Sequence, residues 1–363
     1  MPKLARVLFT ESSPNIGGQE LQLLEQARGL AGRGVQTRLL CPETSRIAEL
    51  AVRYRVPVTA VPFRNSVHPR SVLGVRRVLA DWRPDAVLCH SGHDADVSAL
   101  AARLVGRPRP RLVRMRTYQH GSPHAWTYNR LFDRTLVPSE EMRARLLANP
   151  RVGAERIAVL RPGIAFAELD ARAALPLDAA LEQALSRFPP RRLTHAAMLR
   201  GEKGHLFMLE VLARLRKSVP ELCYVIAGEG ELKERIDQQV KLLGLQANVC
   251  FAGLVRELPP LYVRSELVVM PSFYEPLGMS QIEALGLGVP VVASRVGGIP
   301  ETVHERRTGL LAAPGDMEAW TEALSWALAH RAEMRAMAQA GRADVRQRFE
   351  LAKVLDELAG HLV

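Results

Sequence analysis

Cysteine, aromatic side chains and acidic residues are scarce in this sequence. There are four cysteines in 363 residues: Cys41, Cys89, Cys223 and Cys250. Each lies in an apolar run and none forms a CxxC pair. They read as buried, reduced thiols, and neither a zinc module nor a disulfide framework is expected. Phe, Trp and Tyr together make 5% of the chain. No run approaches the roughly 18 apolar residues of a membrane-spanning helix. The opening segment, Met1 to Phe9, is too short and too soon polar for a signal peptide. The expectation is a cytoplasmic protein, with peripheral attachment to the inner face of a membrane allowed. The full dinucleotide fingerprint GxGxxG is also missing, which argues against a nicotinamide cofactor.

Basic residues outnumber acidic ones by 49 to 38, a net charge of +11. Such a surplus favours anionic partners such as nucleotides, phosphorylated glycans, acidic lipid surfaces or nucleic acid, without choosing among them. Nucleic acid is not expected, because nothing resembles a recognition helix, an aromatic stacking sheet or a zinc module. From 103 to 116 the chain carries Arg103, Arg107, Arg109, Arg111, Arg114 and Arg116 without one acid. This stretch reads either as a solvated basic face or as a surface for a phosphorylated, lipid-linked glycan at an anionic membrane.

The length exceeds that of one ordinary domain. Short apolar runs alternate with amphipathic stretches along the whole chain. Strands are expected at 6–10, 35–41, 86–89, 111–115, 135–137 and 157–160, with helices at 19–32, 71–81, 94–105 and 140–148. The second half repeats the rhythm, with strands at 193–198, 222–227, 249–252, 267–270 and 289–293. Its helices are expected at 206–217, 232–243, 279–287 and 318–330. Strict β/α alternation in two series predicts an α/β protein of two doubly wound, Rossmann-like domains with parallel sheets. The boundaries read as 1–165, a linker at 166–190, 191–345, and a C-terminal helix within 346–363.

Three stretches carry candidate chemistry. In the first, the strand at 267–270 runs into Pro271-Ser272-Phe273-Tyr274-Glu275-Pro276-Leu277-Gly278-Met279-Ser280, and a helix opens near Gly278 or Met279. Ligands of open α/β sheets bind beyond the carboxyl ends of strands. The amides of Gly278, Met279 and Ser280 at a helix start suit a diphosphate. Glu275 and Glu283 are spaced to reach two hydroxyl-bearing groups. On spacing alone they equally read as acids complementing a helix dipole, typically worth ~0.3–1 kcal/mol. The second stretch is Arg200-Gly201-Glu202-Lys203-Gly204-His205, where Arg200 and Lys203 either clamp phosphate oxygens or form a solvated turn. The third is Gly17-Gly18, between the first strand and first helix, which reads as a turn or as a close approach of backbone to ligand. Asp94-Ala95-Asp96 spells DxD, a metal signature elsewhere. Here Asp94 reads as a helix cap or site-edge residue, and no metal is expected.

Taken in order, these stretches resemble the family-4 retaining glycosyltransferases of the GT-B fold. The resemblance is carried by Gly17-Gly18, Glu202-Lys203-Gly204-His205, Ile226-Ala227-Gly228-Glu229-Gly230 and Phe251-Ala252-Gly253-Leu254-Val255. It continues through the E-x7-E pair Glu275 and Glu283, Gly288-Val289-Pro290 and Gly297-Gly298-Ile299-Pro300-Glu301. It implies two domains facing across a cleft and a nucleoside-diphosphate sugar donor, with UDP preferred over GDP. Glu275 would contact the donor sugar and Glu283 the ribose. Arg200 and Lys203 would bind the diphosphate, with amides of Gly278, Met279, Ser280 and the Gly17-Gly18 loop. Val255 would lie near the base. A first-domain histidine often sits by the reacting sugar; His120 is the candidate, with His90 and His93 competing. The family's arginine five residues before the lysine is Met198 here, so Arg200 stands in. No cofactor or metal is implied. The acceptor would be a glycan or lipid-linked glycan, in lipopolysaccharide or surface-polysaccharide assembly. A nucleotide-sugar epimerase of the same architecture is the rival enzyme reading, and a basic nucleic-acid-binding protein, supported by charge alone, is the rival outside enzymes.

Overall fold

The structure is a computed structural model that describes residues 4–106, 108–117 and 123–363. The chain divides into two compact units, one of Met1–Gly163 with Leu351–Val363 and one of Ile164–Glu350.

The first unit runs β1 (Arg6–Thr10), α1 (Gly18–Gly32), β2 (Gln36–Cys41), α2 (Arg46–Arg53), β3 (Val58–Ala60), α3 (Pro69–Trp82), β4 (Ala86–Cys89), α4 (Gly92–Val105) and β5 (Arg111–Met115). A π-helical turn at Thr127–Leu131 precedes β6 (Arg134–Val137), α5 (Glu140–Leu147) and β7 (Ile157–Val159). The strands form one parallel sheet ordered β3-β2-β1-β4-β5-β6-β7. Val7, Leu8 and Phe9 of β1 are fully buried, as the unbroken apolar run of a central strand covered on both faces requires.

The second unit opens with α6 (Phe166–Ala173) and α7 (Ala179–Leu185), followed by β8 (Arg191–Ala196), α8 (His205–Leu215), β9 (Leu222–Ala227), α9 (Lys233–Leu242) and β10 (Val249–Gly253). Next come α10 (Pro259–Tyr262), β11 (Leu267–Met270), α11 (Ser280–Gly286), β12 (Val291–Ser294), β13 (Leu310–Ala312), α12 (Met317–Ala329) and α13 (Arg331–Phe349). Its sheet is also parallel, ordered β10-β9-β8-β11-β12-β13. The interval 166–190 is occupied by α6 and α7. Phe166, Leu169, Leu177 and Leu185 from this interval lie in the second unit's core.

The last helix, α14 (Leu351–Leu362), belongs to the first unit. It packs so closely on α1 that a Cβ on Gly29 would stand 2.4 Å from a methyl of Leu355. Two arginines tie it down: Arg33 pairs with Asp356 at 2.6 Å, and Arg111 donates to the carbonyl of His361 at 2.9 Å.

Strands at 6–10, 111–115, 222–227 and 267–270 have the bounds expected from the sequence. The elements the pattern misses include α2, β3, β13 and α13. Both β3 and β13 are three-residue edge strands. Three residues are too few to show a period, although β7, an edge strand of the same length, lies within the expected 157–160. The strand expected at 193–198 ends at Ala196 because the chain turns there into the loop that carries Lys203. Removing the buried Leu358 side chain of α14 (Leu358→Ala) should cost about 2–5 kcal/mol of stability in chemical denaturation. A loss below about 0.5 kcal/mol would mean that α14 is not part of the first unit's core.

Candidate active site

In the second unit the strand order reverses between β8 and β11. From β8 the chain proceeds outward through β9 to β10, then returns to lay β11 on the other side of β8. The loops leaving these neighbouring strands diverge, and the crevice at their carboxyl ends is where open α/β sheets receive ligands. The two loops are bound to each other. The Phe273 amide donates to the carbonyl of Glu202 at 2.8 Å. Gly204 has a φ of +75°, and a Cβ there would fall 2.0 Å from the carbonyl oxygen of Pro271. Lys203 Nζ donates to Glu275 Oε2 at 2.6 Å, with side-chain exposures of 16% and 9%.

A third loop, after β12, backs the same acid. The Gly298 amide donates to the carbonyl of Glu275 at 3.1 Å. Gly297 has a φ of +55°, and a Cβ on it would lie 1.9 Å from that carbonyl oxygen. Glycine is required there both by its backbone conformation and by the space. Glu275 is therefore fixed through its main chain by one loop and through its carboxylate by another.

Beyond Glu275 the chain passes Gly278, whose φ is +86°, and enters α11 with Met279 as its N-cap. The N–H groups that open a helix have no intrahelical acceptor and stand available to a ligand. Ser280 Oγ donates to the carbonyl of Ala196, the last residue of β8, at 2.8 Å, which pins this helix start to the crevice. Glu283 sits in the first turn of α11. Burial pushes its carboxyl up to about 7, against the opposing charge of Arg172. Val255 follows β10, two strands from β8, and packs partly buried on the core. Arg200 is exposed at the head of the Lys203 loop and makes no ion pair among the described residues. The second unit thus gathers Lys203, Glu275, Gly278, Met279, Ser280 and Glu283 at two adjacent strand ends, with Arg200 exposed on the β8 loop and Val255 after β10. Lys203, expected on the diphosphate, here engages Glu275.

The first unit has its own reversal, between β1 and β4. Gly17 is the N-cap of α1, and its amide donates to the Glu20 carboxylate at 2.7 Å; Gly18 is the first helical residue. Glu11, which no motif in the sequence marks, follows β1 and gathers the whole loop. Its carboxylate accepts from the Ser13 amide at 2.8 Å, from Gln19 Nε2 at 2.9 Å and from Ser91 Oγ. Asp94 is fully buried, caps the start of α4 and accepts from Thr10 Oγ1 at 2.6 Å and Ser12 Oγ at 3.0 Å. Burial, then the neighbouring Glu11 charge, raises the Asp94 carboxyl, and the same two causes raise Glu20. The position of Glu11, at the carboxyl end of a central parallel strand, is the signal that marks it. Glu20, three residues after the cap, returns its carboxylate to the Gly17 amide, the acid's half of a capping box.

His120 lies outside the described residues. His90 is buried beside β1, its Nδ1 3.3 Å from the carbonyl of Thr10. Burial lowers it to about 4, so it is neutral at pH 7. His93 is exposed and pairs with Ser66 Oγ at 3.1 Å. The arginine run does not form one solvated face. Arg109 forks onto Asp133 with two bonds of 2.7 Å. Arg103 reaches the carbonyls of Ala99 and Arg130, and Arg111 reaches that of His361. Arg114 is only 7% exposed, and Arg107 lies outside the described residues. The acid absent from the run itself is supplied by Asp133, just before the neighbouring strand β6.

Glu283 supplies a test of burial. Its folded value lies above the ordinary 4.5, so the folded chain holds the proton more tightly and stability falls as pH rises from about 4.5 to about 7. Relative to wild type, Glu283→Gln should therefore gain on the order of 1–3 kcal/mol between pH 4 and pH 8 in chemical denaturation. A difference that stays flat with pH would show that burial does not perturb this carboxyl. Gly297→Ala should cost several kcal/mol or displace the Glu275 loop, seen as lost stability or as lost protection of that loop from hydrogen exchange.

Two family models match the chain. "Glycosyl transferases group 1" matches residues 183–344, and "Glycosyltransferase Family 4" matches residues 16–168. Among curated relatives, glycogen synthase of Mycobacterium tuberculosis is 28% identical over 284 residues, which is 74% of this chain and 66% of the relative. The chain spans less than two thirds of the length of the first curated relatives it matches. The 2-deoxystreptamine glucosyltransferase of Streptomyces kanamyceticus is 26% identical over 366 residues, covering 89% of this chain and 92% of the relative. Among solved structures, Anabaena HepE in complex with UDP-glucose superposes with a TM-score of 0.84 at 22% identity, covering 98% of this chain and 99% of that one. With both halves matched in order and the two reversed parallel sheets in place, the chain belongs to the family-4 glycosyltransferases of the GT-B fold.

Proposed function

We propose that this chain transfers a sugar, with retention at the anomeric carbon, from a nucleoside-diphosphate sugar to a glycan or lipid-linked glycan. The observation that carries the reading is the convergence of Lys203, Glu275, Ser280 and Glu283 on the ends of β8 and β11. An acid held rigid from two sides suits contact with sugar hydroxyls. A second acid, one helical turn inward, suits the ribose. As the sugar leaves, negative charge grows on the diphosphate. Arg200, Lys203 and the amides of Gly278, Met279 and Ser280 stabilise it in place, a preorganised arrangement that assigns no step to a metal ion. Lys203 also holds Glu275 through the same ammonium, so donor phosphate and Glu275 share one cation. UDP is the preferred nucleotide, supported by the complexes of UDP and UDP-glucose in the HepE structures. An acceptor in lipopolysaccharide or surface-polysaccharide assembly, met at the cytoplasmic face of the membrane, rests on the net charge of +11.

A thermal-shift series with UDP, GDP, dTDP and ADP tests the donor site, because a ligand of the folded state raises its stability by mass action. One nucleotide should stand out, and Glu283→Ala should weaken it about 10–100-fold. Glu275→Ala should leave nucleotide affinity within a few-fold and lower turnover about 100-fold or more. Silence with all four nucleotides, or unchanged turnover in both variants, would reject the reading.

A further inference from the structure

Arg114 occupies the second-last position of β5, paired in register with Cys89 of β4 and Thr135 of β6. Tyr128 and Phe132, from the π-helical turn and its end, cover its side chain, with ring centroids 6.0 and 5.4 Å from the guanidinium carbon. At 7% exposure this residue has lost most of its water, yet its Nε is fully buried without a hydrogen-bond acceptor and the side chain has no ion pair among the described residues. The Thr135 hydroxyl on the neighbouring strand, fully buried, also lacks a partner among the described residues.

Arg116 stands two residues on, and the alternation of an extended chain turns it to the same side as Arg114. It is half-buried. Burial and then the Arg114 charge weaken its hold on the proton, while Tyr128 and the charge of Asp96 support it. The two like charges thus oppose each other, on a strand end where Arg114 is already buried. An ionised group removed from water costs free energy unless an opposite charge meets it. The position is one strand from the β1/β4 reversal and at the carboxyl end of the sheet, where α/β proteins bind ligands. Short π-helical segments such as Thr127–Leu131 also concentrate at functional sites.

We propose that Arg114 and Arg116, with Tyr128 and Thr135, form a phosphate-binding site in the first unit. Guanidinium forks match the oxygens of a phosphate, and two of them match its charge of about −1.5 to −2. The ligand class is a phosphate group on the acceptor, an assignment of role that rests on the transferase reading; the site itself does not.

The probe is sodium phosphate, titrated against sodium chloride and sodium acetate at matched ionic strength, with the whole chain followed by thermal shift. Phosphate should raise the melting temperature of wild type and of Lys203→Met, which lacks the donor-side cation. Arg114→Met should weaken phosphate binding at least about tenfold. Replacing an unpaired buried charge by an apolar side chain leaves a fold intact or firmer. Arg116→Gln, read in the same way, keeps the test valid should Arg114→Met fail to fold. An unchanged phosphate response in both arginine variants, its disappearance in Lys203→Met, or an equal response to acetate would each overturn the proposal. UDP, GDP, dTDP and ADP on the same samples separate the two readings. A nucleotide response with arginine-independent phosphate binding removes this site and keeps the transferase. An arginine-dependent phosphate response with no nucleotide response keeps the site and removes the transferase.

Discussion

The second unit's site depends on one ion pair, Lys203 to Glu275, held between two loops that leave adjacent parallel strands. A pair with side-chain exposures of 16% and 9% has given up much of its hydration, and such pairs add little to stability compared with apolar side chains of the same volume. What the pair supplies is position. Each partner fixes the other's rotamer. Breaking it would leave a charge stranded in a poorly solvated crevice, so the two loops are obliged to stay together. The hydrogen bond from Phe273 to Glu202 and the close pass of Gly204 against Pro271 then read as the main-chain counterpart of the same constraint.

Glycine makes that constraint possible. Gly204, Gly278 and Gly297 all have positive φ, and at Gly204 and Gly297 a carbonyl oxygen occupies the space where a Cβ would be. The three loops at the ends of β8, β11 and β12 can therefore nest at backbone distance. Glu275 is gripped through its own carbonyl, which leaves its carboxylate geometry independent of side-chain packing alone. Electrostatics and close backbone contact act on one residue from opposite sides.

The first unit solves a different electrostatic problem. Its reversal point concentrates acid in a chain of net positive charge. Glu11, Glu20 and Asp94 crowd together and are served by short hydroxyl and amide donors, with burial and mutual repulsion favouring protonation of Glu20 and Asp94. One strand away, Arg114 and Arg116 concentrate the opposite charge, with aromatic cover over Arg114. Net charge counted along the sequence describes neither place. Within the run from 103 to 116, Arg103 and Arg111 are taken up by carbonyls, Arg109 by Asp133 and Arg114 by burial.

The α/β alternation is legible in the amino-acid order alone, because a central parallel strand is apolar throughout and leaves an unmistakable run. Leu222–Ala227 and Leu267–Met270 are such strands. The amino-acid order also marked the loop after Leu267–Met270 as a candidate, by placing an acid, a proline and a glycine between a buried strand and a helix. It could not reach the short edge strands β3 and β13, whose three residues carry no period. Nor could it show that Lys203 turns to Glu275, that Gly297 lies against that acid's carbonyl, or that Glu11 organises the loop before α1. Those contacts join residues 72, 22 and 80 positions apart, as between Lys203 and Glu275, Glu275 and Gly297, and Glu11 and Ser91. Local propensity holds no information about them. Only the order of strands in each sheet, set by burying both faces at once, decided which loop ends would meet.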